Sequence, residues 1–139
     1  MPSDAELTKI LTEARVIALV GWSAKLDRPS NGVARYLKAR GYRVIPVNPG
    51  LAGQESGLGE IVRASLADID EPVDIIDIFR RSEDVGPVVE EALRAFPALK
   101  VIWMQLGVEN DEAAALARAR GVQVVINRCP AIEIPRLGL

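Results

Sequence analysis

Val16-Ile17-Ala18-Leu19-Val20 is followed at once by Gly21. The run has no polar break. A strand with one wet face alternates apolar and polar residues, whereas a continuous run is covered on both faces, as in a parallel sheet between helices. Comparable runs recur at Arg43–Val47, Val73–Phe79, Lys100–Gln105 and Val122–Ile126. Between and before them lie segments of helical period: Asp4–Ala14, Asn31–Arg40, a short one near Gly59–Ala64, Glu83–Ala95 and Asp111–Arg120. Gly41 follows Lys38-Ala39-Arg40 and Gly121 follows Arg118-Ala119-Arg120, each a basic last turn and a glycine suited to the C′ position. Ser82 before Glu83-Asp84 and Asn110 before Asp111-Glu112 read as N-caps with acids in the first turn.

Strands alternating with helices through right-handed crossovers give a doubly wound α/β sheet. The expectation is five parallel strands in the order 3-2-1-4-5, with helices on both faces. A ligand crevice then opens at the carboxyl ends of strands one and four, where the order reverses. The chain has 139 residues, and no internal repeat or long linker divides it. Residues 1–139 are therefore expected to form one domain. Asn48–Gly59, with four glycines and one proline, reads as an ordered loop.

Composition removes several function classes. There are 17 basic and 19 acidic residues, a formal charge of −2, so no overall basic excess points to nucleic acid. Histidine is absent, which excludes a Ser-His-Asp or Cys-His arrangement, a phosphohistidine and a His-ligated zinc. A single cysteine, Cys129, forms neither an internal disulfide nor a cysteine-cluster metal site. No metal site and no catalytic residue is expected. Met1-Pro2-Ser3-Asp4-Ala5-Glu6 has no basic n-region, and no apolar run approaches a membrane span. With its lone thiol, this gives a cytoplasmic expectation.

Residues that follow strand ends are the site candidates. After strand one, Gly21-Trp22-Ser23 resembles the start of a dinucleotide fingerprint with a serine for the second glycine. Gly21 allows a sharp turn, Ser23 and backbone amides suit phosphate oxygens, and Arg28 offers a forked donor. The alternative is a plain strand-to-helix turn with a surface arginine. After strand two, Pro46-Val47-Asn48-Pro49 places an amide where an NAD-binding unit carries a ribose-reading acid. An amide is not that charged double acceptor, and the prolines with the glycines behind them suit a wall for a flat adenine. They equally suit an edge-like strand that simply ends there.

After strand three, Phe79-Arg80-Arg81-Ser82 combines an aromatic, two arginines and a helix start. Adjacent side chains diverge, so one arginine, Arg80, is expected in the crevice. For a generic pair the alternative is a core Phe79 with two solvated arginines. Strand four ends Trp103-Met104-Gln105-Leu106-Gly107, and Gln105 lies where a polar group or a pantetheine arm can run. Strand five ends Asn127-Arg128-Cys129-Pro130. Cys129 is either inert packing or, beside Arg128, a thiol able to form a mixed disulfide with a ligand thiol once an oxidant is added.

These blocks together resemble the small single-domain CoA-binding proteins related to the CoA-binding domain of the succinyl-CoA synthetase alpha subunit. The blocks are Val20-Gly21 with Asp27-Arg28-Pro29-Ser30, Val44 to Pro49, Ser65 to Ile69, Val73-Asp74 with Phe79 to Ser82, Trp103 to Gly107, and Asn127 to Pro130. The resemblance implies a Rossmann-like fold that binds coenzyme A, with Gly21, Ser23, Arg28, Asn48-Pro49 and Phe79-Arg80 at the matching ligand positions. Pro46 and Gln105 complete the candidate set. Two departures stand out. Neither the synthetase's second domain nor its histidine is present, so ligase chemistry does not carry over. Gly50 stands where relatives commonly place a cation after the Asn-Pro pair, so the 3′-phosphate needs another contact.

The expected function is binding of CoA or an acyl-CoA without catalysis, serving an undefined partner enzyme or homo-oligomer. The alternatives are a small NAD(P)-linked oxidoreductase and a regulatory partner subunit with a vestigial nucleotide site.

Overall fold

The computed structural model describes residues 1–139. Five parallel strands form one sheet: β1 (Val16–Val20), β2 (Arg43–Val47), β3 (Ile75–Ile78), β4 (Val101–Met104) and β5 (Gln123–Val125). Five helices accompany them: α1 (Asp4–Glu13), α2 (Pro29–Ala39), α3 (Val85–Ala95), α4 (Asp111–Ala119) and α5 (Pro130–Arg136). Successive side chains of a strand point to opposite faces, so each apolar strand supplies two cores. Ala18, Val20, Ile76, Ile78 and Ile102 pack under α3 and α4. Ile17, Leu19, Ile75 and Trp103 pack under α1, α2 and α5. Both faces are covered, as the unbroken apolar runs required. No helix is long and apolar enough to cross a membrane.

The doubly wound class is the expected one, but one strand sits elsewhere. The order is β2-β1-β3-β4-β5, so the third strand lies between the first and the fourth and not outside the second. Pro46 supplies the physical reason. Its carbonyl accepts the Arg63 N–H at 2.9 Å on the outer side of β2. A residue's own N–H and C=O point the same way, so the donor that proline lacks is missing at the sheet edge, where no further strand needs it. In an interior strand that gap would leave a neighbour's carbonyl without a partner. The reversal of strand order therefore falls between β1 and β3, and the crevice opens there rather than between strands one and four.

Three local expectations also change. The segment Gly59–Ala64 is not helical. Gly57 and Gly59 take positive φ of 80° and 78°, turning the chain back so that Ile61 bridges Glu55 and Arg63 bridges Val47 along the outer edge of β2. Ser82 does not cap a helix. It begins a short 3-10 turn, Ser82–Asp84, and α3 starts at Val85. Beyond the expected helices, α5 follows β5, with Pro130 at the start, where its missing N–H costs nothing. Asn110 does cap α4, its Oδ1 accepting the Ala113 N–H at 2.9 Å.

Candidate functional site

Gly21 is the hinge of the crevice. Its N–H and that of Trp22 both donate to the Val47 carbonyl, at 2.9 and 3.3 Å, while the Phe79 N–H donates to Val20 at 2.9 Å. The ends of β1, β2 and β3 are thereby joined. Gly21 has φ of +89°, and a Cβ there would lie 2.1 Å from the Phe79 carbonyl oxygen. Only glycine fits this approach.

The loop from Gly21 to Asn31 holds itself in shape. The Ser23 N–H donates to Ser30 Oγ at 3.0 Å, the Lys25 N–H donates to Ser23 Oγ at 3.2 Å, and Asn31 Nδ2 donates to the Ser23 carbonyl at 2.9 Å. Ser30 and Asn31 are buried, so the two bonds they make to the Ser23 backbone are partly shielded from water, while the Lys25 bond is exposed. Ser23 accepts a backbone bond and keeps its own O–H free to donate. A cleft of about 410 Å³ opens over this loop, lined by Gly21, Ser23, Lys25, Arg28, Pro29, Ser30 and Phe79. Arg28 occupies the N-cap position of α2 without a side-chain capping bond, so the positive end of that helix faces the cleft.

The cations at this end divide in two. Arg81 is held by its own turn, with Nε 2.9 Å from Asp84 and 3.6 Å from Glu83. The Asp84 hydrogen bond, with the charges of Asp84 and Glu83, raises the Arg81 pKa above its ordinary value. Arg80 beside it has no carboxylate within ion-pair distance, and neither do Arg28 and Lys25. The adjacent arginines therefore have different surroundings, with Arg81 the paired one. Lys25 was not singled out from the sequence; a lone lysine in a loop carries no pattern, and its place on the cleft wall appears only in three dimensions.

Asn48 shapes the wall rather than presenting an idle amide. Its Nδ2 donates to the Trp22 carbonyl at 2.7 Å and its Oδ1 accepts the Gly50 N–H at 2.9 Å, capping a 3-10 turn over Pro49–Leu51. Pro49 and Gly50 are exposed on this rim, while Pro46 lies buried within β2.

At the ends of β4 and β5 the loops are bonded to each other. The Gly107 N–H donates to Asn127 Oδ1 at 2.7 Å, and Trp103 Nε1 donates to the Arg128 carbonyl at 2.8 Å. Asn127 holds a left-handed φ of 58° to make this possible. Ser82 joins the same assembly, its Oγ accepting the Glu109 N–H at 3.0 Å. Gln105 is buried, and its Oε1 has no partner. Cys129 is buried at the start of α5, and Arg128 places Nη1 3.1 Å from the buried Glu133 carboxylate, which directs its charge away from a role beside the thiol.

Asp77 was missed in the sequence, hidden within an apolar run. It lies in β3 opposite Leu19 and Trp103, fully buried, with neither carboxylate oxygen bonded. Burial pushes its carboxyl well above the ordinary carboxylate range.

The fold and the site define a class: a doubly wound α/β protein with an anion-suited crevice at its topological switch point. Comparison with known proteins makes it more particular. Residues 15–135 match the family of the CoA binding domain, and the chain belongs to that family. It is 39% identical to the uncharacterized protein YneT of Bacillus subtilis (strain 168) over 128 residues, covering 92% of this chain and 91% of YneT. The solved structure of cell-free ID.343 from Thermus thermophilus is 38% identical with a TM-score of 0.92, covering 98% of this chain and 99% of that one. A hypothetical protein from Pyrococcus horikoshii OT3 is 36% identical with a TM-score of 0.91, covering 99% and 94%.

Proposed function

We propose that this protein binds coenzyme A at the carboxyl ends of β1 and β3 and performs no catalysis of its own. The observation that carries the reading is that two cations without a carboxylate partner, Lys25 and Arg28, line the cleft at the start of α2 in a chain of net charge −2, with Arg80 one residue beyond the lining residue Phe79. Unpaired cations beside a helix N-terminus suit an anion. CoA has a pyrophosphate and a 3′-phosphate to place. In this reading Arg28 and Arg80 take the pyrophosphate with the Ser23 hydroxyl. Lys25 supplies the charge that Gly50 does not. The adenine lies along Asn48-Pro49, and the arm passes Phe79 toward Gln105. The NAD(P) alternative needs a ribose-reading acid after β2, and the side chain there is an amide already bonded to Trp22 and Gly50. A cytoplasmic setting, where CoA is abundant, fits the lone thiol.

A mass spectrum of protein purified under native conditions tests the reading. Retained CoA, released on denaturation, is the expected result. Retained NAD in its place overturns it.

A further inference from the structure

Resting on that reading of the site, we propose that Arg35 is a positioning residue for the cleft: it holds the Gly21–Asn31 loop in its binding shape without touching the ligand. Arg35 lies in α2, one turn after Asn31, and neither residue lines the cleft. Its guanidinium has no carboxylate within ion-pair distance. It serves two neutral acceptors instead. Nε donates to Asn31 Oδ1 at 2.8 Å, and Nη2 donates to the Leu26 carbonyl at 3.3 Å. One planar fork thereby joins the first turn of α2 to the middle of the loop.

The bond to Asn31 decides which way a buried amide faces. An asparagine amide carries an acceptor on one corner and donors on the other. With Oδ1 engaged by Arg35, Nδ2 is the group that meets the Ser23 carbonyl, at 2.9 Å. Reversed, the amide would set oxygen against oxygen at Ser23 and nitrogen against nitrogen at Arg35. Ser30 Oγ accepts the Ser23 N–H at 3.0 Å, so both backbone groups of Ser23 are held by the first turn of α2. The Lys25 N–H in turn donates to Ser23 Oγ. Leu26, whose carbonyl Arg35 holds, lies between the two lining cations Lys25 and Arg28. Arg35 therefore fixes the backbone that carries both cations. A loop shaped before the ligand arrives has less ordering to lose on binding.

Two variants test this, and because Arg35 is exposed both are expected to fold. Arg35→Met keeps the aliphatic stem and loses charge and fork, whereas Arg35→Lys keeps the charge and loses the fork. In calorimetry CoA is expected to bind about tenfold more weakly to both. In the ligand-free proteins, amide hydrogen exchange at Ser23 is expected to quicken in both variants, while the amides of β1 exchange as in the wild type. Wild-type CoA affinity in Arg35→Lys means that only the charge of Arg35 matters and overturns the inference. Ser23 exchange unchanged in Arg35→Met overturns it too, and both outcomes leave CoA binding intact. Failure of CoA to bind the wild type overturns the proposed function, and the exchange comparison then decides alone whether Arg35 holds the loop.

Discussion

Arg43 and Arg136 differ from Arg28 and Arg80 in what surrounds their guanidinium groups. At the amino end, Arg43 at the start of β2 reaches Glu60 at 2.9 Å and also Glu71. At the C-terminus of α5, Arg136 joins Asp4 at 2.8 Å and Glu133 at 2.9 Å. At the carboxyl end, Arg28 and Arg80 have no carboxylate to hold. The paired cations tie elements together, α1 to α5 and the β2 edge to its flanking loop. Arg28 and Arg80 lie where strand order reverses and a helix begins. Charge count alone conceals this, because the chain is nearly neutral.

The largest expected effect comes from breaking the carboxyl end itself. Gly21→Ala forces a side chain into a positive φ and against the Phe79 carbonyl, a strain on the order of 3 kcal/mol. Urea unfolding should show that loss, and CoA affinity should fall with it because the β1, β2 and β3 ends no longer meet.

Removing the unpaired cations comes next. Arg28→Ala and Arg80→Ala are each expected to weaken CoA by roughly 1.5–3 kcal/mol, with little change in affinity for phosphate-free pantetheine. Arg81→Ala should change CoA affinity far less, since its guanidinium is engaged by Asp84. If both unpaired arginines can be removed without effect, the phosphate site is elsewhere and the contrast between the two ends has no functional meaning.

The buried acid sharpens the contrast through pH. The folded carboxyl of Asp77 titrates well above its ordinary value of 3.8, so above that value the native state holds a proton that the unfolded chain has released. Its contribution is fully present below 3.8 and is lost as pH rises toward the folded value, with a slope of about 1.4 kcal/mol per pH unit. Glu60 has the opposite sign. The Arg43 hydrogen bond holds it below its ordinary value of 4.5, so its contribution is present above 4.5 and is lost as pH falls through the folded value. Asp77→Asn should flatten the decline of stability on the alkaline side, as read from unfolding curves between pH 4 and 8. A decline unchanged in that variant assigns the slope to another group.

The smallest effect belongs to the paired end. Arg43→Ala is expected to cost less than about 1 kcal/mol, because a partly exposed ion pair is screened by solvent, and to leave CoA affinity unchanged. Melting temperature and calorimetry on the same sample check both halves.

Much of this was legible in the sequence because burial on two faces leaves an unbroken apolar run. All five strands and four of the five helices followed from that pattern and from residues such as Asn110. The strand order was less legible, although Pro46 carried the information: a missing N–H belongs at an edge, and that places β3 beside β1. The turn over Ser82–Asp84 misled because a serine before two acids resembles a cap, while in the fold its hydroxyl serves Glu109 across the site. On the site itself, Gly21 and the different surroundings of Arg80 and Arg81 follow from local rules about φ and diverging neighbours. Lys25, Asp77 and the bonded state of Asn48 depend on contacts between loops far apart in the chain, which no local pattern records.

The most direct test of the central claim is isothermal calorimetry of the wild-type protein with CoA and with NAD in parallel. CoA is expected to bind at one site per chain and, at a hundredfold excess over its dissociation constant, to stabilise the fold by about 2.7 kcal/mol in a melting experiment, with NAD giving neither signal. Tight binding of NAD with none of CoA contradicts the account.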